Sequence, residues 1–146
     1  MIVQAQNLQV DVVLREIMDK VRVVTTSRNE LIDITVQIQA VVSCSEVQSG
    51  IVVVYSPHTT GAITVNENAD PDVQRDMSSF MEELVPCKSS FRHMEGNSDS
   101  HIKGSLFNFN QTFIIENGQI QLGIWQGIYF AEFDGPRTRE VWVKVL

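Results

Sequence analysis

Two periods of apolar residues run through the chain and lay out its elements. Between Val21 and Thr26 the density of β-branched residues predicts a strand. The stretch DITVQIQAVVSCSEVQSG carries both periods: Ile32, Ile34, Val36 and Ile38 alternate, while Ile34, Ile38, Val41 and Val42 form a helical stripe. Asp33 as an N-cap and Gly50 as a stop favour the helix. IVVVYS is a continuous apolar run of strand length, consistent with a buried strand, and AITV follows beyond PHTTG. The clearest helix opens at Asp70 as N-cap with Pro71 in the first helical position. It sets Val73, Met77, Phe80, Met81 and Leu84 on one face and stops at Pro86.

The C-terminal third reads as antiparallel strands. TFII turns at Asn117-Gly118, the signal for a two-residue type I′ hairpin, into QIQLGIWQGIYFAEF, and DGPR makes another turn. In the last strand Val141, Val143 and Val145 share one face, which leaves Trp142 on the other as a candidate subunit contact. Near the start, Val10, Val13, Leu14 and Ile17 fall at helical spacing, compatible with a short docked helix or a loose extension. Strands dominate, with two or three helices, so the predicted class is α+β. No repeat or low-complexity linker divides the 146 residues, a length of about one domain.

Composition narrows the partners. A balance of 11 basic against 18 acidic residues gives a formal charge of -7, which opposes non-specific attraction to nucleic acid or an anionic membrane. No apolar run reaches the roughly 18 residues of a membrane span. Cys44 and Cys87 lie far apart, without CxxC spacing or a secretory signal, so they read as reduced thiols and a cytoplasmic location is expected.

Ionisable side chains cluster at element ends. SPHTTGAITVNENADPD joins the IVVVYS strand to the capped helix, a position where polar residues tend to line sites. His58, next to Pro57, is either a site imidazole or a hydrogen-bonded structural residue. Helix capping explains Asp70 and, through the helix dipole, part of Asp72, but not Glu67, which is placed to act as a general base or a Mg²⁺ ligand. RHMEGNSDSHIKGSL sets His93 and His101 eight positions apart, and Gly96, Asn97 and Ser98 predict a turn that lets them converge. His58, His93 and His101 with one acid have the composition of a transition-metal site, although the spacing matches no specific zinc signature. If HIKGSL is a strand, Lys103 shares the face of His101 and the pair suits a phosphate, with Ser105 in reach and Gly104 leaving the backbone open to close approach. A solvated charged loop is the plain alternative.

Taken with LGIWQGIYFAEFDGPR, these motifs resemble the YjbQ-like family, in order over roughly residues 19 to 146. Residues 1–18 then read as an N-terminal extension and 19–146 as the YjbQ-like domain. The resemblance implies a compact single α+β domain with mixed or antiparallel sheets, assembled as a homotrimer. It implies a transferase, a secondary thiamine-phosphate synthase that joins hydroxymethylpyrimidine diphosphate to thiazole phosphate and releases pyrophosphate. The implied catalytic residues are His101, Glu67 and Lys103, and Asn68, Ser105, Trp125, Gln126 and Arg137 would bind substrate. His58, His93, His101 and Glu132 would hold a metal, Mg²⁺ or a transition metal such as Zn²⁺. In these roles Arg137 and Lys103 hold phosphates, Glu67 binds Mg²⁺ or orients the pyrimidine amine, His101 donates a proton and Trp125 stacks. The plain alternatives are a core role for Trp125 and a turn role for Arg137, paired with Glu132 or Asp134. Ile124 stands where the family usually carries threonine, which removes one hydroxyl from the implied pocket.

Two other functions fit the same residues. One is a metal-binding or small-ligand-binding trimer built on the histidine cluster, and the other is metal-assisted hydrolysis of a phosphate ester. In the enzymatic readings the partner is a small phosphorylated metabolite, with neither nucleic acid nor membrane involved. The absence of a G-x-S-x-G pattern argues against a serine nucleophile.

Overall fold

Alternating valines and isoleucines build two antiparallel sheets whose inner faces share one core. The computed structural model describes residues 18–146, and the helical spacing at Val10, Val13, Leu14 and Ile17 lies outside them. In chain order the elements are β1 (Asp19–Val24), β2 (Glu30–Asp33), α1 (Thr35–Ser45), β3 (Ser49–Tyr55), β4 (Gly61–Glu67), α2 (Pro71–Leu84), α3 (Ser98–Phe107), β5 (Asn110–Glu116), β6 (Gln119–Ile120), β7 (Gln126–Glu132) and β8 (Thr138–Val145). The larger sheet runs β1-β8-β3-β5-β6 and the smaller β2-β7-β4. The class is therefore α+β, as the sequence predicts. No described helix is long and apolar enough to cross a membrane.

Strand parity sets the core. Val52 and Val54 of β3, Phe113 and Ile115 of β5, and Val141 and Val143 of β8 meet Ile63, Ile128 and Phe130 of the smaller sheet, with Ile38 and Val42 of α1 between them. IVVVYS forms the expected strand, but only one face is buried: Ile51 and Tyr55 are each 39% exposed on the outer side. Trp142 lies on that outer face, tilted against Tyr55 with ring centroids 5.8 Å apart. The other side of the smaller sheet packs Ala62, Ala131 and Phe133 against Leu31 and Phe107, the last from α3.

The helix ends follow local chemistry. The N-cap of α1 is Ile34, one residue later than predicted and without a side-chain cap; Asp33, the last residue of β2, accepts through Oδ1 from Thr35 N at 2.8 Å and Thr35 Oγ1 at 2.6 Å in the turn that leads into the helix. The helix stops earlier than Gly50, at Glu46, whose φ of 62° is left-handed. Gly50 instead lies in β3, where a Cβ would collide with the Leu146 carbonyl oxygen. Asp70 caps α2 by accepting from Asp72 N at 2.9 Å. The predicted apolar face of α2 exists but stays largely uncovered, with Phe80 61% and Leu84 55% exposed. Asn117 and Gly118 have φ of 52° and 71°, as a type I′ turn requires, although β6 is short and residues 121–125 leave the ladder before β7.

One buried polar group joins the sheets. Arg139 of β8 donates from Nε to Glu132 Oε2 at 2.7 Å and from Nη2 to Glu132 Oε1 at 2.6 Å. Glu132, fully buried at the end of β7, also accepts from Thr25 Oγ1 and from the backbone N–H groups of Phe133 and Asp134. Removing one partner of a buried pair strands the other charge, at a cost of about 3–5 kcal/mol. Glu132→Gln is therefore expected to lose about that much stability in urea unfolding; a loss under about 1 kcal/mol would show that the pair does not hold the sheets together.

Candidate functional site

Three connections converge at the Glu132 end of the smaller sheet. The loop after β3 brings Pro57, His58, Thr59 and Thr60, the approach to α3 brings Glu95, Asn97 and His101, and the segment from β7 to β8 brings Asp134, Arg137 and Arg139. Together they line an open, polar cleft of about 250 Å³. The loop after β3 is held by Ser56, whose Oγ donates to Gly61 O at 2.7 Å, and by Arg139 Nη2, which donates to Thr60 Oγ1 at 2.9 Å.

The histidines converge as their surrounding turn predicts. Gly96, with φ of 70°, closes a turn in which its N–H donates to His93 O, and the helix then begins at Ser98. The His93 and His101 rings stand 5.2 Å apart, edge to face. His93 Nε2 lies 3.7 Å from Glu95 Oε2, and the His101 ring nitrogens carry no hydrogen bond among the described residues. Asn97 Nδ2 donates to Asp134 Oδ2 at 2.9 Å, whereas Asn97 Oδ1 is buried and has no partner among the described residues.

His58 is anchored through one nitrogen to a single backbone unit. Its Nε2 lies 3.0 Å from Glu140 N and 3.1 Å from Glu140 O, so it accepts from the N–H when bare and donates to the carbonyl when protonated. Burial and the Arg139 guanidinium hold its pKa below the usual 6.5, against the opposing pull of the Glu140 carbonyl and of the Glu132 and Glu140 carboxylates.

Arg137 is a half-exposed side chain at the mouth. Its Nε and Nη2 donate to Asp134, matching the turn role, and its Nη1 remains without a partner among the described residues. A guanidinium pinned on two nitrogens and open on the third, beside an open imidazole and the Thr59 hydroxyl, can receive an oxyanion.

Lys103 departs from the expected arrangement. HIKGSL is helical, and two residues along a helix turn about 200°, so Lys103 points away from His101. It is 2% exposed and its Nζ lies 3.2 Å from Asp99 Oδ2. Arg28 Nη2 meets the other oxygen of Asp99 at 2.9 Å. Burial pushes the Asp99 carboxyl up, but Lys103 and Arg28 more than reverse this and hold it below its ordinary value. Ser105 also turns inward on its own helix, donating to His101 O at 3.0 Å. Gly104 permits close approach of a different kind: a Cβ there would stand 3.1 Å from Thr59 O, so it seats α3 against the loop after β3.

The expected metal set is not assembled in one chain. Among the described residues no three His, Cys, Asp or Glu side chains are grouped to hold a metal ion. The reasons are local. Glu132 spends its oxygens on Arg139, Thr25 and two backbone N–H groups, and of the three histidines only the His93 and His101 rings pack against one another.

The remaining expected residues lie elsewhere. In the β4–β7 ladder Gly61 faces Glu132 at the cleft end and Glu67 faces Gln126 at the other, six residues or about 20 Å away. There Asn68 N donates to Trp125 O and Asn68 Nδ2 to Asp33 Oδ2, while Gln126 Oε1 accepts from Gly123 N. Trp125 is 60% exposed and so is not core among the described residues, and the Glu67 carboxylate has no partner among them.

Thr60, Asn97, Asp134 and Arg139 belong to the cleft but are absent from the expected site. Arg139 did leave a signal: it shares strand parity with Val141 and Val143, and a cation on a core face implies a buried anion.

The chain is thus an antiparallel two-sheet α+β protein with a donor-rich cleft at one end of its smaller sheet. It belongs to the family described as UPF0047 protein YjbQ-like, which matches residues 19–146. The UPF0047 protein MJ1081 of Methanocaldococcus jannaschii is 54% identical over 127 residues, covering 87% of this chain and 92% of that protein. UPF0047 protein YugU of Bacillus subtilis is 50% identical over 123 residues, covering 84% and 93%. A crystal structure of a YjbQ/UPF0047 protein from Clostridium acetobutylicum superposes with a TM-score of 0.86 at 48% identity, covering 88% of this chain and 99% of that one.

The lowered His58 pKa has a definite sign. Folding favours the neutral ring, so His58 contributes stability above pH 6.5 that is lost as the pH falls through that value toward the lowered pKa. An NMR titration is expected to give His58 a midpoint below 6.5. A midpoint at or above the ordinary value would mean that the carboxylates and the Glu140 carbonyl outweigh burial and Arg139.

Proposed function

We propose that the protein is a cytoplasmic homotrimeric transferase of the secondary thiamine-phosphate synthase type, whose cleft receives the phosphate groups of its substrates. The observation that carries this reading is the set of donors at the cleft that have no partner among the described residues: Arg137 Nη1, the His101 ring and the Thr59 hydroxyl, beside the immobilised Arg139. In the proposed reaction the thiazole nitrogen attacks the pyrimidine methylene carbon, a C–N bond forms, and the C–O bond to the diphosphate breaks. Pyrophosphate departs with the electron pair. Arg137 would stabilise the charge that develops on it, and His101 would donate a proton to it. Lys103 has no part in this scheme, because its ammonium is consumed by Asp99.

The donor set does not suit a resident Zn²⁺, because Glu132 is saturated and, among the described residues, no three His, Cys, Asp or Glu side chains are grouped. It does not form a Mg²⁺ cage either, since the unpartnered Glu67 carboxylate stands at the far end of the ladder. The residues of one chain therefore do not fit a bound metal cofactor, and no step is assigned to one.

The test is formation of thiamine phosphate from the two phosphorylated precursors, assayed with Mg²⁺ present to neutralise the diphosphate. Arg137→Ala and His101→Ala are each expected to lower the rate by about 10²–10⁴-fold while leaving the circular dichroism spectrum unchanged. Wild-type protein that makes no thiamine phosphate, or variants that make it at the wild-type rate, would overturn the proposal.

A further inference from the structure

We propose that a second copy of this chain completes the cleft, inserting its own Gly123–Gln126 turn so that its Trp125 and Glu67 stand against His101 and Arg137. The inference rests on the reading of the cleft as a site for a phosphorylated organic molecule. A phosphate needs donors, which the cleft has; the organic part needs an apolar wall, which it lacks. Of the residues lining it, Pro57 is the only apolar one, and the cleft is open on one side.

The missing parts exist on the same chain, where they cannot reach. Ile124 is 90% exposed and Trp125 60%, side by side on a turn that projects from the smaller sheet, and large apolar side chains displayed together mark a contact surface. Among the described residues the Glu67 carboxylate beside them has no cation, while the cleft presents Arg137 Nη1 and the His101 ring; Nη1 takes the phosphate, so a neighbour's Glu67 faces this cationic mouth without pairing to it. The charges are complementary, but the β4–β7 ladder holds them about 20 Å apart within one chain. Two complementary surfaces at opposite ends of a rigid ladder pair head to tail between copies, and such contacts close into a ring when the rotation permits. Each site would then take its donors from one copy and its aromatic wall and carboxylate from the next.

Cross-linking tests this without reference to any activity. In a Cys44→Ser, Cys87→Ser background, one pool of chains carries Ile124→Cys and a differently tagged pool carries Glu95→Cys; the pools are co-expressed and treated with a short bismaleimide. The expected product joins the two tags. A protein that sediments as a monomer at micromolar concentration, or an Ile124→Cys pool that links only to itself, would overturn the proposal. Catalysis gives a second readout. His101→Ala and Glu67→Gln chains, each inactive alone, should recover about one quarter of the wild-type rate when mixed equally, because one neighbouring pair in four unites two intact halves. No recovery from the mixture of an otherwise active enzyme would place both residues in a site within one chain. Should the wild-type protein make no thiamine phosphate while the tags still join, the synthase reading fails and the shared cleft stands.

Discussion

A guanidinium and a carboxylate, bonded through two nitrogens and two oxygens away from water, tie the two sheets together. Arg139 belongs to the larger sheet and Glu132 to the smaller, and neither could be buried without the other. Thr25, just beyond β1, and Thr60, just before β4, complete their coordination. Such a pair is a weak source of net stability, because desolvation offsets most of the attraction. Its effect is positional. Four chain segments can satisfy these two charges only in one arrangement, and that arrangement brings the loop after β3 beside the segment from β7 to β8. The cleft lies where these segments meet.

A second charged cluster does the same for α3. Asp99 is 1% exposed and divides its oxygens between Lys103 of its own helix and Arg28 from the connection between β1 and β2. Ser100 adds a hydrogen bond to Phe133 O. The helix is therefore pinned by polar contacts on its buried side, which leaves His101 half-buried at the cleft and next to His93. Burial removes Lys103 from the cleft surface, and its ion pair with Asp99 fixes the helix that carries His101.

This polar underside explains what the sequence concealed. A helix is legible when an apolar stripe repeats along it, as at Val73, Met77 and Phe80, but α3 buries Asp99, Ser100, Lys103 and Gly104 while Ile102 and Leu106 face outward. No hydrophobic period announces it, and HIKGSL could be read as a strand. Local signals fared better: Asp70 with Pro71, Asn117 with Gly118, and the Gly96 turn that joins the two histidines all depend on neighbours in sequence. That the expected metal set is not assembled within one chain among the described residues was hidden for the opposite reason. Whether His58 is available depends on the backbone of Glu140, 82 positions away, and whether Glu132 is available depends on an arginine in the other sheet. Residue type could nominate these side chains, but only the fold shows that the Glu132 oxygens are already used and that one ring nitrogen of His58 is held by the backbone.

On the proposed reading, the donors left open among the described residues around the Arg139–Glu132 pair form an oxyanion site. The most direct measurement is an NMR titration of the protein with inorganic pyrophosphate, read residue by residue. Saturable shifts are expected at Thr59, Thr60, His101 and Arg137, with Lys103 and the interior of the larger sheet unmoved. Shifts confined to other surfaces, or none at millimolar pyrophosphate, would contradict it.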